Sequence, residues 1–224
     1  MSKPSCIILG GPNGSGKSSA FAKLKLDGVW INADEIARDL QNSDDGKSRE
    51  RRASEIVLHK VAEMIETKTS FVFETTLSSQ QSIRMMRDTK AAGFAVGLYY
   101  VALDNVETNI ERVRQRVLKG GHNIPEADIR RRYQGSLNKL VDALKLADEA
   151  VLIDNSELEP HEVFTIASGK VETFDIDEDK PLHKLFEEKV REAYGLIRAK
   201  ITGPERSPTV RFVRVVNRHP RRQE

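Results

Sequence analysis

Residues Ser5 to Leu9 form a short apolar run that leads, after Gly10, straight into Gly11-Pro12-Asn13-Gly14-Ser15-Gly16-Lys17-Ser18. That octapeptide fits G-x-x-x-x-G-K-[ST] without a mismatch. It stands between a predicted strand and a predicted helix running from about Gly16 to Leu26, the context the motif requires. Glycines let the backbone curl until successive N–H groups point inward at phosphate oxygens. The helix N-terminus adds its partial positive charge. Lys17 is placed to reach the β- and γ-phosphates of a nucleoside triphosphate, and the Ser18 hydroxyl to ligate Mg²⁺. Residues Gly11 to Ser18, with the adjoining Ser19, are therefore the candidate nucleotide-binding residues, and ATP or GTP with Mg²⁺ the expected cofactors.

Strand and helix signals alternate beyond the motif. Val29–Asn32 reads as a second strand and Ile36–Leu40 as the opening of a helix. Ser48–Thr67 is a longer helix, with Ile56, Val57, Val61, Met64 and Ile65 as an apolar stripe. Ser70–Phe73 is a third strand, Ser79–Ala92 a helix closed by Gly93, and Ala95–Leu103 a fourth strand. Val106–Leu118 and a long helix from Pro125 to about Leu146 follow, then a fifth strand at Ala150–Ile153. Strands that are apolar on every residue and separated by helices predict a parallel sheet covered on both faces. The expected fold is a three-layer, doubly wound α/β domain of about five strands, with a nucleoside-monophosphate-kinase-like layout. Functional residues belong at the carboxyl ends of its strands.

The chain divides by pattern near Ser156. Residues 1–156 form the expected core. Residues 157–224 form a small appendage: a hairpin of Val163–Ala167 and Lys170–Phe174 turning at Ser168-Gly169, an amphipathic helix over Leu182–Ile201, and an extended segment at Thr209–Val216. The last residues carry Arg206, Arg211, Arg214, Arg218, Arg221 and Arg222 against Glu205 and Glu224. They read either as a solvated terminus or as a weak anchor for an acidic partner.

Composition bounds the class. The 224 residues are 38 % apolar and 31 % charged, the balance of a water-soluble globular protein. The formal net charge of +2 gives no general reason to expect a nucleic-acid partner. No apolar run is long enough to span a bilayer, the N-terminus lacks a signal-peptide pattern, and Cys6 has no second cysteine to pair with. A cytoplasmic location is the expectation.

Three clusters carry the acceptor side and the lid. Asp34 ends the second strand, where a carboxylate can orient an acceptor hydroxyl and take its proton; an Asp there also suits a helix N-cap. Glu74, Thr75 and Thr76 follow the third strand as a polar triplet suited to a hydroxyl-rich ligand, and Glu74 could equally hold a metal-bound water. Arg112 and Arg116 lie one turn apart on a helix. Together with Arg130, Arg131 and Arg132 they bracket the glycine hinge Lys119-Gly120-Gly121-His122, which predicts a closing lid over about 112–132.

With these residues in place, the sequence resembles the zeta-toxin family of P-loop kinases. The likeness covers about Cys6 to Ser156: Gly10–Ser19, Asn32-Ala33-Asp34, Phe73-Glu74-Thr75-Thr76-Leu77, and Gly120-Gly121-His122-Asn123-Ile124-Pro125-Glu126 leading into Arg130-Arg131-Arg132-Tyr133. The resemblance implies a kinase that phosphorylates the amino sugar of UDP-N-acetylglucosamine and is held inactive by a small helical antitoxin. It makes Lys17 the P-loop lysine and Asp34 the general base. It makes Arg116 and Arg130 the phosphate-contacting arginines, with Arg131 and Arg132 competing at the second position. Family relatives with this core act on other acceptors, nicotinamide dinucleotides among them. A kinase acting on nucleic-acid 5′ ends and a nucleotide-gated binding module are the competing readings.

Overall fold

The computed structural model describes residues 3–19, 26–40 and 48–195. Part of the first expected helix, the extended segment at 209–216 and the basic tail lie outside those residues; residues 17–19 are helical. Along the described chain run β1 (Ser5–Gly10), β2 (Val29–Asn32), α1 (Ala33–Asp39), α2 (Arg49–Glu66), β3 (Phe71–Thr75), α3 (Gln80–Ala91), β4 (Ala95–Ala102), α4 (Val106–Leu118), α5 (Glu126–Leu146), β5 (Glu149–Asp154), β6 (His161–Ala167), β7 (Lys170–Phe174) and α6 (Pro181–Tyr194).

All strands join one seven-stranded sheet in the order β2-β3-β1-β4-β5-β6-β7. The first five in that order run parallel. The expected count of about five is thus corrected to seven among the described residues. The β6–β7 hairpin pairs antiparallel to β5 and extends the sheet, which moves its edge from β5 to β7. Ser168 and Gly169 both have positive φ at its turn, which matches the right-handed twist of the flanking strands.

Alternating side chains of β1 feed two faces. Cys6 and Ile8 join α2, α3, α5 and α6 in the larger core. Ile7 and Leu9 pack with Val72, Tyr99, Val101, Val151 and Ile153 in a second, with Leu26 and Trp30 against it. Both faces of the sheet are therefore buried, which is why its strands read as continuous apolar runs.

Helix ends follow their caps. Ser48 and Ser79 accept hydrogen bonds from backbone N–H groups of Arg51 and Ser82 to open α2 and α3. The C-terminal helix spans Pro181–Tyr194 and is capped by Gly195, which adopts the left-handed conformation that closes a helix; residues 196–201 of the expected helix lie outside the described residues. Leu182, Phe186 and Val190 of that helix are buried against the sheet; such burial is worth about 2 kcal/mol per side chain.

Strand β1 is the middle of the five parallel strands, with β3 on one side and β4 on the other. From β1 the chain runs out to the edge strand β2, returns through β3 and then crosses to β4, so the crevice beyond the carboxyl end of β1 is the topological switch point where ligands of this architecture bind.

Candidate active site

Gly11 to Ser18 form a loop at that crevice and pass into the helical residues 17–19. Two glycines have a steric reason to be there. A Cβ on Gly11, whose φ is +141°, would lie 2.0 Å from the Val101 carbonyl oxygen; one on Gly14, with φ +80°, would lie 2.5 Å from that of Asn109. The loop is thus pressed against β4 and α4. Asn109, fully buried, donates from Nδ2 to the Asn13 carbonyl at 2.6 Å.

Lys17 is 5 % exposed. Its Nζ donates to the carbonyls of Gly11 at 2.7 Å and Pro12 at 2.9 Å, and lies 3.9 Å from Glu74 Oε1. Burial lowers the ammonium pKa, and the neighbouring Glu74 carboxylate works against that shift. Glu74 is shifted upward, first by burial, with Lys17 and the Ser18 hydroxyl opposing.

Glu74 is the junction of the site. Its Oε2 accepts from Ser18 Oγ at 3.0 Å and from Asn32 Nδ2 at 2.9 Å. Asn32 Oδ1 in turn accepts from the N–H groups of Asp34 and Glu35. Asn32 is therefore the N-cap of α1, and Asp34 sits in the first turn with its carboxylate not used as the cap. The alternative role of Asp34 as the capping residue is corrected: the N-cap position falls two residues earlier. The sequence carried the signal, since Asn is among the favoured N-cap residues. The role of Asn32 as a bridge to Glu74 had none, because it depends on the β2–β3 register that pairs the two residues.

The Glu74-Thr75-Thr76 triplet divides. Glu74 turns to the P-loop, while Thr75 Oγ1 pairs with Ser82 Oγ at 2.9 Å and Thr76 Oγ1 with Ser78 Oγ at 2.9 Å. All three still line a cleft of about 350 Å³, walled also by Asp34, Ala37, Val57, Phe73, Gln81 and Arg132. A second cleft, of about 330 Å³, is lined by Gly14, Gly16, Ser18, Ser19, Arg112 and Arg116. Asn13, Lys17, Asp34 and Glu74 line both. The wall between the two clefts thus holds the P-loop lysine and two carboxylates.

The arginines separate by partner. Arg112 donates to the carbonyl of Asn155 at 2.9 Å. Arg116 donates to that of His122 at 3.0 Å and faces the P-loop cleft. Arg130 is held by Glu107 at 2.7 Å and Glu126 at 2.8 Å and lines neither cleft. Arg132 approaches Asn13 Oδ1 at 3.4 Å and lines the acceptor-side cleft, as does Arg131, which also pairs with Asp128. Arg130, which the resemblance makes a phosphate-contacting arginine, is thus engaged by two acidic residues, on α4 and on the first turn of α5, whereas Arg132 lies at the cleft wall beside Asn13.

The sequence model of the zeta toxin family matches residues 1–159. An uncharacterised protein of Haemophilus influenzae (strain Rd) is 34 % identical over 129 residues, covering 57 % of this chain and 91 % of that protein. Among solved structures, the AvrRxo1-ORF1:AvrRxo1-ORF2 complex with sulphate ions is similar at a TM-score of 0.61 and 17 % identity, over 84 % of this chain and 64 % of that one. AvrRxo1-ORF1:-ORF2 with ATP is similar at a TM-score of 0.55 and 16 % identity, over 90 % and 66 %. The chain thus spans just under two thirds of the AvrRxo1 chain in the first of these. At such identities the likeness is one of fold.

Proposed function

This chain belongs to the zeta toxin family, and from that premise we propose that it is a P-loop kinase that moves the γ-phosphate of ATP onto a hydroxyl of a sugar nucleotide such as UDP-N-acetylglucosamine. The observation that carries the reading is the shared wall. One cleft is floored by the P-loop, the other is lined by hydroxyls and carboxylates, and Lys17, Asp34 and Glu74 face both. Phosphoryl transfer needs donor and acceptor to meet at one point, with cations over the moving charge and a base at the attacking oxygen.

In this reading Asp34 accepts the proton of the acceptor hydroxyl. That oxygen attacks the γ-phosphorus, and the bond to the β–γ bridging oxygen breaks. Lys17, Arg116 and Arg132 offset the charge that spreads over the transferring group. Asn32 holds the first turn of α1 and, through it, the position of Asp34. The Ser18 hydroxyl and Glu74 carboxylate are hard oxygen donors close enough to share a small cation, which suits Mg²⁺. When bound, the ion would neutralise charge on the β- and γ-phosphates. Thr75, Thr76 and Gln81 supply polar contacts for the sugar, above an apolar floor of Val57 and Phe73. An inhibitory antitoxin is the partner this reading expects, supported by the paired chains of the AvrRxo1 complex. No described helix is long and apolar enough to cross a membrane.

The test is to incubate the protein with ATP, Mg²⁺ and UDP-N-acetylglucosamine and follow the sugar nucleotide by mass spectrometry. A gain of one phosphate on the sugar nucleotide is the expected result. An ATP-binding protein that leaves UDP-N-acetylglucosamine untouched but phosphorylates another hydroxyl compound would keep the kinase and remove the acceptor.

A further inference from the structure

Asp154, the last residue of β5, is a carboxylate only 1 % exposed. It accepts from Ser156 N at 2.8 Å and Ser156 Oγ at 2.5 Å. Two further partners come from the segment that begins α6: His183 Nε2 at 3.1 Å and Lys180 Nζ at 3.5 Å. His183 is fully buried. Its Nδ1 accepts from the backbone N–H of Asp177 at 2.9 Å. A backbone N–H can only donate, so the ring proton is on Nε2 and points at Asp154. His161, held by Asp175 at 3.0 Å, packs edge-on against the same ring at 5.1 Å between centroids.

The chain leads from Asp154 directly to the P-loop. Ser156 Oγ accepts from Asp104 N at 2.9 Å while donating to Asp154, so the turn after β5 is tied on both sides. Asn155 Nδ2 donates to the Ser15 carbonyl at 2.8 Å, and the Asn155 carbonyl accepts from Arg112. Asn155 lies so close over Gly16 that a Cβ there would meet its Nδ2 at 2.3 Å. A cleft of about 480 Å³ opens at this point, lined by Gly16, Ser19, Arg112, Asn155, Ser156 and Pro160. The end of β5 therefore connects a buried carboxylate under α6 with the loop that would hold the nucleotide.

We propose that His183 and Lys180 are positioning residues for the nucleotide, fixing Asp154 and through it the Asn155–Ser156 turn against the P-loop and Arg112. The inference rests on the reading of the P-loop cleft as a nucleotide site. It assigns a role in that site to residues beyond the segment, 1–159, that the family match covers. A buried carboxylate keeps its charge only when partners satisfy it. Removing the His183 donor would drive Asp154 to recruit Ser156 differently or to admit water, and either response moves the turn that carries Asn155. An apolar contact in the same place would hold α6 down but would not orient the turn.

The experiment is calorimetric titration of the full chain with MgATP, run beside thermal melts. His183→Phe fills the ring's space but removes the Nε2 donor, and MgATP Kd is expected to rise about tenfold, within the usual range for coupling between adjoining sites. His183→Gln offers a donor at similar reach and is expected to bring Kd back toward wild type. Phe186→Leu loosens the same helix without touching Asp154 and is expected to leave Kd unchanged even if the melting temperature drops. A folded His183→Phe with wild-type Kd overturns the inference, as does Phe186→Leu raising Kd equally at a matched melting temperature. If His183→Phe does not fold, Lys180→Met decides: a raised Kd supports the inference and an unchanged one overturns it. Wild-type protein that gives no MgATP heat would instead overturn the nucleotide reading itself, a result distinct from binding that is insensitive to α6.

Discussion

Ser18 Oγ donates to Glu74 Oε2 at 3.0 Å, so the end of the P-loop and the end of β3 share one carboxylate. That carboxylate is shifted upward by burial, against the pull of Lys17 and Ser18. Glu74→Gln preserves the shape and removes the charge. It is expected to raise the Mg²⁺ concentration needed for half-maximal activity. Because the wild-type carboxyl gains its proton at a higher pH than an ordinary one, its Mg²⁺ requirement should grow as the pH is lowered toward that range, while the variant's should stay flat. Magnesium titrations at several pH values measure both trends, and parallel trends in the two proteins would remove Glu74 from the metal's surroundings.

Lys17 is buried against the carbonyls of its own loop and beside Glu74. Lys17→Ala removes the point charge intended for the β- and γ-phosphates. Transfer should be abolished while the protein still melts cooperatively. Steady-state kinetics with a thermal melt check this, and retained full activity would sink the P-loop assignment.

Asp34 projects from the first turn of α1, and Asn32 carries the cap. Asp34→Asn can still orient a hydroxyl but cannot take its proton, and transfer should fall by roughly 10²-fold with nucleotide affinity little changed. Asn32→Ala separates the two roles, costing about 1 kcal/mol of stability through the lost cap. Unfolding curves and single-turnover rates for the pair distinguish a base from a structural residue.

Arg130 is captured by Glu107 and Glu126, whereas Arg132 reaches Asn13 and the acceptor-side cleft. Arg132→Ala should lower kcat on the order of 10³-fold, as for arginines that stabilise a transferring phosphoryl group. Arg130→Ala should leave kcat near wild type. The reverse ranking would show that α5 shifts when the nucleotide binds.

Asp154 is held well below the usual carboxylate range: desolvation alone would raise it, but His183, Ser156 and Lys180 together more than offset that. The unfolded chain takes up this proton near pH 4, the ordinary carboxylate value, while the folded chain resists it. The stabilisation is therefore fully present above about pH 4 and is lost as the pH falls below it, toward the folded-state value. Asp154→Asn should flatten that part of the acid limb in a plot of melting temperature against pH. An unchanged slope would show that the buried Asp154 carboxyl is not ionised in the way its partners imply.

Spacing alone made much of this molecule legible. The octapeptide from Gly11 to Ser18, the apolar strands and the helices beginning near Ser48 and Ser79 are local features, and local features obey rules of reach: a strand alternates faces and a helix returns every three or four residues. The same rules placed Asp34 and Glu74 at strand ends. Only tertiary structure could choose among neighbours that spacing leaves equivalent. Arg130 and Arg132 both flank the apolar stripe of α5. Which one meets the P-loop depends on how that helix is rotated, and Gly135, whose absent side chain lets α5 lie against Ser78, is among the contacts that set the rotation. Asn32 met Glu74 because β2 and β3 pair in one register. His183 met Asp154 across 29 residues of chain because a hairpin extended the sheet and returned α6 beneath β5. Contacts of that kind come from packing angles and strand register, which sum over the whole core and are written in no single stretch of sequence.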